Sequence, residues 1–279
     1  MGRIPFDAHH ALTQWEFTPF ALLVLLAVVT TGAWYVRAQW MLPTPGGRWS
    51  RKRTLSFIAG LVVIDVALQS PVAAFTMSYF QAHVVQHLLL MVIAPPLLAM
   101  GAPVTLALQT SSPTAATRLL RIINSRPFQN LTHPVLVWFF YYFSMFAFFL
   151  TFVLNFAMLH MWAMDVINIG FLVASMLFWW PIVGVDPIPH WQMSHGARMT
   201  NLLIGIPVES FLALALMNNG RPAASMYSLA GTHSGAVILW FCAELCTMVA
   251  LIPVLMQWLR LDERKGARYA PQLDVELSA

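Results

Sequence analysis

The sequence predicts an all-α polytopic membrane protein, a bundle of seven transmembrane helices with the N-terminus outside and the C-terminus cytoplasmic. Three observations carry that expectation. Of 279 residues only 9% are charged and 59% are hydrophobic, with a mean hydropathy of +0.69. Soluble domains hold roughly 25% charged residues, so this chain lacks the polar groups to cover a soluble globule. The apolar residues fall in seven long runs, and the basic residues fall almost wholly in alternate loops. The two cysteines make no disulfide framework.

A spanning helix needs about 20 largely apolar residues. A polar outer segment, residues 1–16, precedes the first run, 17–36, which is long enough to remain as a helix rather than a cleaved leader. The remaining runs are 54–75, 79–108, 134–154, 159–184, 199–217 and 234–259, so the transmembrane domain covers 17–259. The third is over-long and carries Pro95-Pro96 and Gly101-Ala102-Pro103, which predicts a kink or break. Residues 260–279 form a charged cytoplasmic tail, expected to be partly disordered. The Pro-Thr-Pro-Gly-Gly stretch at 43–47 reads as a turn.

Orientation follows from Lys and Arg, which are retained on the cytoplasmic side. Arg37, Arg48, Arg51, Lys52, Arg53, Arg118, Arg121, Arg126, Arg198, Arg260, Arg264, Lys265 and Arg268 lie on one side, and only Arg3 and Arg221 on the other. The pI near 9.4 therefore reports topology and contact with anionic lipid, with no nucleic-acid partner. The expected location is the cell (inner) membrane.

Four carboxylates fall within the runs: Asp65, Asp165, Glu209 and Glu244. A charge at mid-bilayer is unfavourable by roughly 2.5–3.5 kcal/mol on insertion scales. Each must therefore be a neutral acid bridging helices, or meet a histidine, water or a cation. His83, His87, His160 and His233 begin spans that descend from the outer face, with His9 and His10 on the outer tail. His133, His190 and His195 fall on the cytoplasmic side and read as solvated or loop-packing residues.

His83 and His87 are four residues apart and Met91 continues their stripe, so a helix stacks all three on one face. Two imidazoles at that spacing can share a metal, and a thioether favours Cu(I) over Zn(II). Interfacial histidines reaching water is the alternative. Gln86 could orient a ligand from behind. The fifth run adds Met158, His160, Met161, Met164 and Asp165, although methionine is also a common core filler. Cys242 and Cys246, also four apart, could hold a soft ion, but their depth favours packing. Trp179, Trp180 and Trp240 read as interface anchors or packing. No Walker loop, Gly-x-Ser-x-Gly elbow or His-Glu-x-x-His motif occurs, so the expected role is not enzymatic.

The block Leu68-Gln-Ser-Pro71, then His83-Val-Val-Gln-His87-Leu-Leu-Leu-Met91, Ala94-Pro95-Pro96 and Gly101-Ala-Pro103, resembles the CtaG type of cytochrome c oxidase assembly factors. Phe178-Trp-Trp-Pro-Ile-Val-Gly-Val-Asp-Pro187, and Gly235 to Trp240 through Glu244 to Asp262-Glu-Arg264, are similar to further segments of that family. The resemblance implies a seven-helix assembly factor (a chaperone of haem-copper oxidase maturation) that binds or delivers copper at the outer face. Its partners would be cytochrome c oxidase subunits or other copper-handling proteins, besides the lipid bilayer. His83 and His87 would be primary ligands, with Met91, His160, Met164 and His233 completing the site. The chain departs from the family where it has Gly170 and Glu209 in place of histidines, and Gly231-Thr-His233 in place of acidic and glutamine positions. Glu209 and His233 are then the candidate substitutes. A metal or proton transporter, a haem-binding electron-transfer subunit and a metal-free scaffold are the competing expectations.

Overall fold

In the computed structural model, described for residues 13–42, 49–186 and 192–277, with the side chains of 260–277 excepted, every regular element is helical. The outer histidines His9 and His10, the turn at 43–47, Arg48 and His190 lie outside the described residues. Six helices are long and apolar enough to cross a membrane, and a bent pair makes a seventh span. Rings and aliphatic chains such as Leu23, Phe139, Phe143, Phe211 and Phe241 point outward. Such faces suit lipid, which offers no hydrogen bonds but tolerates any apolar surface.

The first span is α1, Pro19–Trp40. The second joins α2, Arg51–Gln69, to a short α3, Pro71–Phe75. Both α1 and α3 start on a Thr-Pro or Ser-Pro pair. Thr18 Oγ1 accepts from Ala21 N at 3.2 Å and Ser70 Oγ from Val72 N at 3.1 Å, while the proline fills a first-turn position that needs no N–H. Gln69 donates to the Ala21 carbonyl at 2.6 Å, so the start of span one is fastened to the end of span two.

The third span is a mixed helix, as the prolines predict. It runs as α4, Phe80–Leu88, a π turn, Leu89–Ile93, then α5, Ala94–Met100, and α6, Pro103–Thr110. In the π turn Ala94 N bonds back to the Leu89 carbonyl. The helical N–H partners of the Met91 carbonyl would come from residue 95 or 96, and both are prolines. The Trp179 indole supplies the missing donor at 2.8 Å. Trp179, expected as an interface anchor or a packing residue, is thus packed in the core and a buried donor, because a carbonyl in lipid needs one.

At the second break Ala102 adopts φ 51°, the one non-glycine residue with positive φ among the described residues. The flanking groups are satisfied from other spans. Tyr35 donates to the Gly101 carbonyl at 2.6 Å and Ser56 to the Leu97 carbonyl at 2.7 Å. Asp186, just past the fifth span, accepts from Val104 N at 3.2 Å and from Thr105 N and Oγ1 at 2.7 and 2.6 Å. A carboxylate at a helix N-terminus satisfies orphan donors and complements the helix dipole.

Amphipathic α7, Pro113–Ile123, and α8, Arg126–Leu131, lead to α9, Pro134–Leu150. The expected fourth run to residue 154 breaks earlier: α10, Val153–Leu159, turns away from α9 by 70°. Thr151, with its hydroxyl on the Ala147 carbonyl and the Val153 N–H, marks the bend. The fifth and sixth spans are α11, Met161–Val183, and α12, His195–Met217. The seventh belongs to α13, Leu229–Leu277, so the tail expected to be partly disordered continues the helix.

The spans alternate, so Arg37, Arg53, Arg118, Arg121 and Arg198 share one end, here the basic end. Residues 76–79, 151–160 and 218–228 share the other. Span three divides the interior. Phe80, Val84, Leu88 and Met91 join the larger core of α9 to α13, and Leu90, Ala94, Leu98 and Leu106 the smaller core with Tyr35, Phe57 and Leu61.

Spans two and three approach closely at Gly60 and Gly101, as small residues allow in membranes. A Cβ at Gly60 would meet Leu98 at 2.8 Å, and one at Gly101 would meet Phe57 Cβ at 2.7 Å, whereas one at Gly170 meets nothing within 4 Å. Gly60→Val and Gly101→Val are each expected to destabilise by about 1–3 kcal/mol. Gly170→Ala leaves stability unchanged or raised, and thermal unfolding in detergent measures all three.

Candidate functional site

His83 and His87 sit on α4, the straight α-helical part of span three, so their spacing of four turns both rings to one side. That side is the interior of the bundle: His83 is 0% exposed and His87 1%. The ring centroids are 4.7 Å apart, with the planes tilted by 48°. Phe148 stacks on His83 at 5.6 Å. His87 meets the edges or faces of Phe148, Phe149 and Phe171 at 4.9, 5.6 and 4.9 Å. Two imidazoles are held in a cage of benzyl rings at the start of the third span.

The polar atoms of this pair are mostly unanswered. His83 Nδ1 lies 3.0 Å from the Tyr227 hydroxyl, which donates to the Thr76 carbonyl at 2.7 Å. His83 Nε2 and both nitrogens of His87 are buried with no hydrogen-bond partner. Buried polar atoms are paired in the great majority of cases, and leaving one unpaired costs about 1–3 kcal/mol. Three such atoms fall on two adjacent rings.

The other expected site residues are distributed differently. Met91 is buried in the larger core, four residues on and inside the π turn. Gln86 donates to the Ala67 carbonyl at 2.9 Å and fastens α4 to α2 rather than addressing the histidines. His160 is exposed: its Nδ1 lies 3.0 Å from the Phe156 carbonyl and its ring stacks on Phe156. Met164 packs half-buried against the larger core. His233 Nε2 lies 3.1 Å from the Asn219 carbonyl. Among the described residues, no three or more His, Cys, Asp or Glu side chains come together as a set able to hold a metal ion.

The carboxylates divide in the same way. Ser210 donates to Glu244, and so does the Trp240 indole at 2.9 Å, so Glu244 is a junction between α12 and α13. Glu209, one residue before Ser210, is buried with Oε2 unpartnered. Asp65 is half-buried with Oδ1 enclosed and unpartnered, and Asp165 is half-buried. Cys242 and Cys246 are free thiols packed against the larger core.

Four residues escaped the sequence reading. Tyr227 and Thr76 reach His83 from loops 151 residues apart, a proximity no local pattern encodes. Asn168 and Ser175 are buried on α11, with Asn168 Oδ1 and Ser175 Oγ unpartnered. Their spacing of seven, with Phe171 between them against His87, puts them on the face that α11 turns to the pair. That spacing was visible; its polarity inside a transmembrane run was the available signal.

A polytopic helical membrane protein with a broken third span and two caged imidazoles is the class these features define. The profile of the cytochrome c oxidase caa3 assembly factor (Caa3_CtaG) family matches residues 33–261. The chain belongs to that family. It is also similar to uncharacterized proteins of Mycobacterium tuberculosis (strain CDC 1551 / Oshkosh) and Mycobacterium bovis (strain ATCC BAA-935 / AF2122/97), each 27% identical over 275 residues, covering 92% of this chain and 41% of the relative. A Mycobacterium leprae (strain TN) protein, also uncharacterized, is 26% identical over 274 residues, with the same 92% and 41% coverage. The chain thus spans about two-fifths of the length of these relatives. No solved structure matches it.

Two expectations follow from the cage. Because His87 has no partner in the protein, His87→Leu removes unpaired polar atoms and leaves thermal stability unchanged or higher, while His83→Leu strands the Tyr227 interaction and lowers it by about 1 kcal/mol. Trp179→Phe leaves the Met91 carbonyl without a donor and destabilises by about 1–3 kcal/mol, read in the same unfolding assay.

Proposed function

We propose that this protein is an integral-membrane assembly factor for haem-copper cytochrome c oxidase that binds copper, as Cu(I), at His83 and His87 and passes it on. The observation that supports the reading is the set of three unpartnered nitrogens on two caged, adjacent imidazoles. Family membership supports the assembly role. The positive-inside pattern supports an outward location for the end bearing the pair, in the cell membrane.

The chemistry of this donor set favours a soft, singly charged ion. Calcium and magnesium need six or more oxygen ligands, and structural zinc needs four donors, often anionic. Two neutral imidazoles meet neither requirement. Cu(I) tolerates low coordination and accepts imidazole or thioether. Its single charge is also easier to bring into a low-dielectric interior than a double one. The residues present therefore fit such a cargo. His83 and His87 would be the primary ligands, and Met91 and Met164 the thioether candidates to complete the set. His160 and His233, at the start of spans five and seven, are candidates for transfer at the same end. Asp65, Asp165, Glu209 and Glu244 would balance the charge that arrives with the ion, and oxidase subunits or other copper-handling proteins would receive it. The chain supplies ligands and an exclusion of water; no bond in a substrate is made or broken.

The test is copper content after loading with Cu(I) under reducing conditions and desalting. Wild type is expected to retain copper, and the His83→Ala/His87→Ala double variant to lose it. Equal stoichiometry in both overturns the ligand assignment. In cells lacking the gene, the wild-type chain should restore cytochrome c oxidase content, measured by its visible spectrum, and the double variant should not.

A further inference from the structure

The two histidines are not equivalent, and the difference lies in a residue of the loop between α12 and α13. Tyr227 is a buried phenol whose hydroxyl contacts two groups at once, the Thr76 carbonyl at 2.7 Å and His83 Nδ1 at 3.0 Å. A phenol carries one proton. A carbonyl cannot donate, so the hydroxyl must spend that proton on Thr76 and then has only lone pairs to offer the imidazole. For the second contact to be attractive, His83 Nδ1 must carry the hydrogen. In a neutral imidazole this leaves Nε2 as the lone-pair nitrogen, and Nε2 is the buried atom of His83 without a partner.

We propose that Tyr227 is the positioning residue of the histidine pair, fixing His83 in its Nδ1–H tautomer so that Nε2 stands ready as an electron-pair donor to a soft cation. The relay Thr76 carbonyl, Tyr227 hydroxyl, His83 Nδ1–H has the form found behind metal-bound histidines, where the ring nitrogen away from the metal donates to a neighbouring oxygen. An imidazole left to itself in water prefers the Nε2–H form, which would block the ligand nitrogen. His87 has no such relay: both its nitrogens are unpartnered. The site thus has one arm of fixed tautomer and one arm free to present either nitrogen.

Tyr227 can do this because its own position is over-determined. Its ring packs edge-on to Phe80 at 5.3 Å, and its backbone N–H bonds to the Ala224 carbonyl at 3.1 Å. Two residues earlier, Ser225 donates through N and Oγ to Asn155 Oδ1 at 3.0 and 2.7 Å, tying the loop to α10. Ala223 N donates to Thr232 Oγ1 at 3.1 Å, tying it to α13. On the other side of the relay, the Thr76 hydroxyl is engaged with the Ala73 carbonyl at 2.7 Å, which holds the residue that accepts from Tyr227.

The tautomer assignment stands without any metal; its meaning for cation capture rests on the copper reading above. The deciding measurement is therefore made on metal-free protein. In nanodisc-embedded, histidine-15N-labelled wild type, solid-state NMR should show His83, assigned by difference from His83→Gln, with a protonated Nδ1 and an unprotonated Nε2. In Tyr227→Phe the same residue should move to the Nε2–H form or to a mixture. An Nε2–H His83 in the wild type overturns the proposal, as does an unchanged spectrum in Tyr227→Phe; should that variant fail to fold, the wild-type spectrum alone decides. Phe80→Leu, which loosens the same ring without touching the relay, should leave the tautomer as in wild type. Cu(I) affinity should fall about 10–100-fold in Tyr227→Phe, the usual effect of removing a supporting hydrogen bond behind a ligand. If wild type retains no copper while His83 is Nδ1-protonated, the copper reading fails and the tautomer assignment survives.

Discussion

A lipid-embedded chain has no water to repair a broken helix, so every backbone group freed by an irregularity must find its partner in protein. The third span concentrates this constraint. Its Pro95-Pro96 pair orphans the Met91 carbonyl in either helical register, and Trp179 of α11 answers it. Its second break, at Ala102, is answered by Tyr35 of α1 and by Asp186 beyond α11, with Ser56 of α2 on the turn before. These bonds are directional, where apolar packing in lipid is not, and so they fix which spans surround span three and at what height. The helix that carries the histidines is held straight above the first irregularity and clamped on three sides below it.

That clamping gives the family-like motif a division of labour. Gln69, Ser70, Gln86 and Asp186, which look chemical in sequence, all bond backbone groups of other elements or cap helices. They supply rigidity. His83 and His87 keep three nitrogens unanswered between them, and the Trp180 indole one more. Rigid elements hold a site to its geometry far better than loops do. The pair is accordingly built on a helix and enclosed by Phe148, Phe149 and Phe171, whose rings exclude water without competing for the nitrogens.

Hydropathy and the period of the helix made the spans and the His83/His87 face readable, because burial in lipid leaves only apolar runs of sufficient length. The break near Pro95 was equally legible, since proline's missing N–H is a local fact. Three things were not. The bend at Thr151 has no proline or glycine to announce it; a threonine hydroxyl competing for backbone groups is a weak signal among many threonines. The indole of Trp179 reads as any other aromatic until the carbonyl it serves is located. The approach of Tyr227 to His83 is a product of assembly, arising only when the seventh span has packed against the third. Sequence spacing likewise grouped His160 and His233 with the pair by depth alone, and depth does not specify the direction in which a side chain leaves its helix.

The loop from Asn218 to Ser228 is pinned to Asn155, to Thr232 and, through Tyr227, to Thr76. Tyr227 is both the support behind His83 and part of the wall around it. A path to the imidazoles past Tyr227 would break its bond to the Thr76 carbonyl and its contact with His83. Tyr227 therefore couples the integrity of this loop to the seclusion of the imidazoles, since a single hydroxyl serves both.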